Sequence, residues 1–138
     1  LTLKDNYFWK EAGEIRDNLI SQLNDFESSD NILINLPDNY EGIYIFRNGY
    51  KRCLKMNNIK NKNEFLLTQE ILRGQKYSVE KLKNNELVFI STPGIIYSTQ
   101  QIEGIEVRNA NNHAALIKSP INFQGKILLF NGETLKEY

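Results

Sequence analysis

Asn31-Ile-Leu-Ile-Asn-Leu-Pro-Asp-Asn-Tyr-Glu-Gly-Ile-Tyr-Ile-Phe-Arg-Asn-Gly-Tyr50 is the stretch on which the reading of this chain turns. A short apolar run, Ile32 to Leu36, has the β-branched and aliphatic content of a buried strand. Pro37 has no amide to donate to a sheet ladder, so the strand is expected to stop there. Asp38-Asn39-Tyr40-Glu41-Gly42 then reads as a polar turn. A second apolar run, Ile43 to Phe46, ends at Arg47-Asn48-Gly49. Ile43, Phe46, Tyr50, Cys53 and Leu54 fit one helical face, whereas Ile43 to Phe46 is β-rich and Asn48-Gly49 is a hairpin signal. Strand, loop, helix is the favoured order, with a hairpin as the alternative.

Upstream, residues 5 to 27 predict an amphipathic helix. Phe8, Ala12, Ile15, Leu19, Leu23 and Phe26 recur at steps of three and four, and Trp9 and Ile20 widen the stripe. Asp5 or Asn6 is expected to cap its start, and residues 27 to 30 to end it. Such a one-sided helix needs a sheet or another helix to pack on.

Downstream, Asn57 to Asn63 is a polar connector, the one place for a weak subdivision of an otherwise single domain. Phe65 to Leu72 is apolar enough for a strand or a short helix. Ser78 to Asn85 reads as a brief helix capped by Ser78. Leu87 to Ile90 reads as a strand buried on both faces, and Thr92-Pro93-Gly94-Ile95 as a turn. Further strands are expected at 95–98, 105–108, 114–117 and 127–130, with Asn131-Gly132 turning the chain into its last segment. The sum is an α+β (mixed α/β) fold: helix, buried strand, probable second helix by pattern, then a mostly antiparallel β-rich half.

The totals set limits. A chain of 138 residues is long enough to bury a core without a staple. Seventeen basic side chains balance seventeen acidic ones, so nucleic acid is not an expected partner. Lys51, Arg52 and Lys55, and Lys60 with Lys62, read as solvated faces. The single cysteine allows no internal disulfide. No apolar run is long enough to span a bilayer. The chain begins at Leu1, which reads as a processed end or a cut from something longer.

Chemistry-bearing residues are sparse. Cys53 and His113 are the one thiol–imidazole combination, with nothing local to pair them, and zinc needs more Cys and His than this chain holds. No metal or cofactor is expected. Glu103 and Glu106 are close in sequence, as an acid and base for glycoside hydrolysis would be, but solvent-facing strand charges look the same. The better candidates follow the Ile32–Leu36 strand, because α/β folds place ligand contacts beyond the carboxyl ends of strands. There Asp38, Asn39 and Tyr40 offer donors and acceptors, and Arg47 a partner for carboxylate or phosphate. The structural alternative gives the same residues to turn formation and capping.

The phrase Asn35-Leu-Pro-Asp-Asn-Tyr-Glu-Gly-Ile-Tyr-Ile-Phe-Arg-Asn-Gly49, the preceding helix with Trp9 and Ala12, and the closing Phe130-Asn131-Gly132-Glu133-x-Leu135 carry a resemblance. Together they resemble the soluble C-terminal part of polytopic bacterial membrane proteins, similar to integral-membrane glycosyltransferases or tetratricopeptide-bearing relatives. The resemblance covers the first third of the chain and, loosely, its tail. It implies an extracytoplasmic accessory domain following the last membrane span, without catalytic residues of its own, whose partner is a glycan or a protein. It also implies that membrane contact is made only through a segment upstream of Leu1. The alternatives are a small sugar- or phosphate-acting enzyme using Asp38, Arg47 and Glu103 or Glu106, and an interaction module using exposed strand edges.

Overall fold

The computed structural model describes residues 3–46, 49–82, 85–92, 97–111, 113–120 and 122–138. Among them are two α-helices and ten strands in two sheets, an α+β architecture of three layers. Helix α1 (Leu3–Leu23) continues into a 3-10 turn at Asn24–Phe26. It buries Ala12, Ile15, Leu19, Ile20 and Leu23, as the periodicity predicts. Trp9 does not join this stripe and is 57% exposed. The helix starts before Asp5 and Asn6, so neither residue is its cap.

Strand β1 (Asn31–Tyr40) is the spine of the larger sheet and is buried along almost its whole length. It runs straight through Pro37, which corrects the expected stop. The reason lies in its neighbours. On one side β1 pairs in parallel with β9 (Lys126–Phe130), but only over Asn31–Leu33. On the other it pairs in parallel with β3 (Asn63–Ile71) as far as Tyr40↔Ile71, with an irregularity between Pro37 and Asn39. By residue 37 the strand no longer ladders with β9, and a missing amide is tolerated beside a bulge.

After Tyr40 the chain reverses through Glu41 (φ 49) and Gly42 (φ 83) into the short β2 (Ile43–Tyr44). Two successive positive φ angles define a hairpin turn at Glu41-Gly42, while Asn48 of the Asn48-Gly49 signal lies outside the described residues. Helix α2 (Tyr50–Met56) follows, in the favoured strand–loop–helix order. The polar segment 57–62 leads to β3, and both cores draw on residues from either side of it. Antiparallel β6 (Tyr97–Thr99) and β10 (Leu135–Glu137) complete the sheet, in the order β10-β9-β1-β3-β6.

The second sheet is fully antiparallel: β4 (Lys76–Lys81), β5 (Glu86–Thr92), β8 (Ala114–Lys118) and β7 (Glu106–Asn111), in that order. The expected helix at 78–85 is strand β4 over residues 76–81. Lys76, Ser78 and Glu80 are exposed while Tyr77 and Val79 are half-buried, which is a strand's two-residue period. Strand β5 also alternates, with Leu87 and Phe89 buried but Val88 and Ile90 half-buried, so only one face is in the core. The expected turn at 92–95 falls mostly outside the described residues.

Each face of the larger sheet builds a core. Leu33, Leu36, Leu128 and Phe130 pack against the helices through Leu19, Leu23 and Leu54. Ile32, Ile34, Ile127 and Leu129 pack against Leu87, Phe89 and Ile117 of the second sheet. Alternation along β9 and over Ile32–Ile34 of β1 thus serves two cores from one set of strands, and Leu36 departs from it. No described helix is long and apolar enough to cross a membrane.

Candidate functional site

The central strands run parallel, so their carboxyl ends gather at one end of the sheet. There β1 and β9 part company. Their ladder ends at Leu33↔Leu128, and the gap beyond it is bridged by a side chain. Asn35, fully buried, donates from Nδ2 to the Phe130 carbonyl at 2.8 Å and accepts the Phe130 N–H on Oδ1 at 3.1 Å. The carboxamide does what a backbone peptide would do in the ladder, and so satisfies two buried groups.

Beyond that bridge lies a cleft of about 350 Å³. Tyr40 and Ile71, the last residues of β1 and β3, line it. Helix α1 presents Glu11, Glu14, Ile15 and Asn18 along one side. The β3–β4 turn contributes Leu72 to Gln75, and the β9–β10 turn Asn131 to Glu133. A crevice outside the carboxyl ends of parallel strands, flanked by strands reached in different directions, is the place where open α/β sheets bind ligands.

The turns around the cleft are held by specific bonds. Asn131 Oδ1 accepts the N–H groups of Glu133 and Thr134, both at 2.8 Å. Asn18 Nδ2 donates to the Gly132 carbonyl at 3.3 Å, and Gln22 Oε1 accepts the Leu135 N–H at 2.8 Å. Glu41 Oε1 accepts the Arg73 N–H at 2.9 Å, and the Glu41 N–H donates to the Ile71 carbonyl at 3.1 Å. These two bonds hold a non-glycine residue at positive φ and tie the β1–β2 hairpin to the β3–β4 turn.

Glu11 is the electrostatic centre. Burial raises its carboxyl pKa, but hydrogen bonds from the Tyr40 and Tyr7 hydroxyls and the charge of Arg73 outweigh that, leaving it below the ordinary glutamate value. The Tyr40 hydroxyl donates to Glu11 Oε2. Burial and this bond to a carboxylate push the Tyr40 phenol far above the usual tyrosine range. The Arg73 guanidinium lies 5.3 Å from the centre of the Tyr7 ring, a cation–π distance. Glu11, Glu14 and Glu133 against Arg73 leave the cleft's lining net negative.

The residues singled out in the sequence are distributed as follows. Tyr40 lines the cleft. Asn39 is buried, donates to Asp38 Oδ2 at 2.9 Å, and accepts the Gly42 N–H at 3.1 Å, so it builds the hairpin turn. The Asp38 carbonyl accepts the Ile45 N–H at 2.9 Å. Arg47 lies outside the described residues. Glu103 and Glu106 are exposed beside a separate open hollow of about 720 Å³, where Glu106 faces Arg108 at 4.0 Å. They share no pocket with Tyr40. Cys53 packs against the helix-side core, whereas His113 is exposed in the β7–β8 turn of the other sheet. Lys51, Arg52, Lys55, Lys60 and Lys62 are exposed. Among the described residues no group of three His, Cys, Asp or Glu is placed to hold a metal.

Glu11, Glu14, Asn18, Arg73 and Glu133 are absent from the sequence-based candidates. One signal for them exists: Tyr7, Glu11, Glu14 and Asn18 recur at steps of four, three and four, a polar stripe along the flank of an otherwise apolar helix. No family model, curated protein or solved structure matches this chain.

Proposed function

We propose that this chain is a non-catalytic accessory domain of a larger bacterial membrane protein of the glycosyltransferase type, and that it engages a glycan in the cleft beyond β1, β3 and β9. The observation that carries the glycan reading is the cleft's donor and acceptor set. Carboxylates from Glu11, Glu14 and Glu133, the phenol of Tyr40 and the guanidinium of Arg73 surround a small open space. Sugar hydroxyls both donate and accept, and such a mixed set serves them. The excess of carboxylates disfavours a phosphate.

The pKa shifts support holding over turnover. Glu11 moves down and the Tyr40 phenol moves up. Both move away from neutrality, whereas general acids and bases work best near the operating pH. Attachment to a membrane protein rests on the resemblance of the Asn35–Gly49 phrase and the Phe130–Leu135 tail.

Titration of the labelled protein with neutral oligosaccharides, followed by amide chemical shifts, tests the binding role. The expected result is saturable shifts confined to Glu11, Tyr40, Arg73 and Gly132 and weakened in Glu14→Gln, with the sugar recovered unchanged. No response to any neutral glycan, or release of a reaction product, overturns the reading. The gene's reading frame tests the attachment: membrane spans are expected upstream of Leu1, and a start codon immediately before Leu1 removes it.

A further inference from the structure

Among the described residues β6 and β10 end the path of the larger sheet and β4 and β7 end the smaller one, and three of these four are blunted. Strands β6 and β10 have three residues each, and the β7 pairing is irregular between Asn109 and Asn111. Short length and irregular pairing are common protections against edge-to-edge association. Strand β4 has neither. All six of its residues pair with β5 in unbroken register, from Lys76↔Thr92 to Lys81↔Leu87. Among the described residues it pairs with β5 alone, so its other side presents a straight, regular backbone edge.

The side chains at the two ends of that edge carry opposite charge. Lys76, Ser78 and Glu80 alternate on the exposed outer face, with Tyr77 and Val79 half-buried on the inner one. A two-fold axis at Ser78 sets two such strands antiparallel. Lys76 of each copy then faces Glu80 of the other, and Tyr77 faces Val79. Sliding the register by one residue sets Lys76 against Lys81, which like-charge repulsion penalises. The charge order therefore favours the pairing centred on Ser78 over that slipped one.

We propose that β4 is a self-association edge, joining antiparallel to β4 of a second copy so that the smaller sheet continues through both molecules. The contact is isologous, with the same strand supplied by each partner. An edge this short buries little area, so the dimer is weak and forms with rising concentration. Its charge pairs lie at the surface and are screened by salt. This inference is independent of the glycan reading.

Sedimentation equilibrium over a concentration series provides the test. The protein is expected to move from monomer to dimer, and less so in high salt. Lys76→Glu and Glu80→Lys each replace two attractions with two repulsions and should weaken the dimer about tenfold. An equimolar mixture of the two variants restores complementarity and should dimerise where neither does alone, while their unchanged melting points show that both fold. A wild-type protein that stays monomeric to its solubility limit overturns the proposal. So does a dimer indifferent to the single charge reversals, or a mixture no more associated than its components.

Discussion

The two ends of the parallel strands β1, β3 and β9 are built to opposite plans. At the amino end, polar side chains are spent on one another. Asn31 Nδ2 donates to Asn63 Oδ1 at 2.7 Å and to the Phe26 carbonyl at 3.1 Å, while its Oδ1 accepts from the Ser29 hydroxyl at 2.8 Å. Asn61 Nδ2 donates to the Ser29 carbonyl at 2.6 Å, and Asp30 Oδ1 accepts the Lys62 N–H at 3.1 Å. The backbone closes in as well, with the Asp30 carbonyl accepting the Lys126 N–H at 2.9 Å. At the carboxyl end β1 and β9 part, and carboxylates, the Tyr40 phenol and Arg73 ring a space instead of filling it. A saturated network fixes geometry, whereas groups left around a space remain for something else to meet. The difference separates an end closed by its own bonds from an end that leaves a cleft.

Substitutions can break that division. The largest effect is expected where the two ends meet. Asn35→Ala strips both partners from the buried Phe130 peptide and should cost about 3 kcal/mol or more in denaturant unfolding. At the amino end, Asn31→Ala should cost about 2 kcal/mol by the same measurement and leave ligand binding intact. Gly125→Ala should cost about 1–2 kcal/mol, because an added Cβ would lie 2.6 Å from the Asp30 carbonyl oxygen, inside contact distance. At the carboxyl end, Glu14→Gln and Glu133→Gln should each stay within about 0.5 kcal/mol of the parent in stability while glycan binding falls. A binding loss in Asn31→Ala, or a large stability loss in Glu14→Gln, would erase the contrast.

The pH dependence sharpens it further. Glu11 has a lowered pKa in the folded protein, so it favours folding fully above the ordinary glutamate value and progressively less as pH falls through its folded value. Tyr40 is shifted the other way. Its contribution is complete below the ordinary tyrosine value near 10 and is lost as pH rises past that point, because the unfolded phenol ionises first. Tyr40→Phe removes one of the bonds that lower Glu11. Unfolding curves for parent and variant should therefore converge on acidification below about pH 4. Curves that stay parallel to the acid limit would remove Glu11 from its central place.

How far the sequence carries depends on whether a feature is local. Helix α1 and strands β8 and β9 were legible because their apolar spacing lies within one segment. Strand β4 is masked when its pattern is read from Ser78, where Ser, Glu and Lys look helical. Started at Lys76, the segment Lys-Tyr-Ser-Val-Glu-Lys alternates. Pro37 misled for a different reason: its cost depends on whether the neighbouring strand is still in reach, and β9 arrives from the far end of the chain. Tyr40 stands among the sequence candidates because it comes soon after the apolar Ile32–Leu36 run. Its cleft neighbours Glu11, Arg73 and Glu133 do not, because only the tertiary fold brings them together.

The partnership of Asn35 with Phe130 joins residues 95 apart in sequence, and that separation bears on how the protein folds. Helix α1 and β1 are synthesised well before Leu128 and Phe130, which cover them. Closing so long a loop is slow compared with forming a local hairpin. Until then the nascent chain carries an uncovered apolar surface and an unanswered carboxamide at its centre. The helix-side core thus stays incomplete until β9 has been made, and that interval is when this stretch most needs a chaperone.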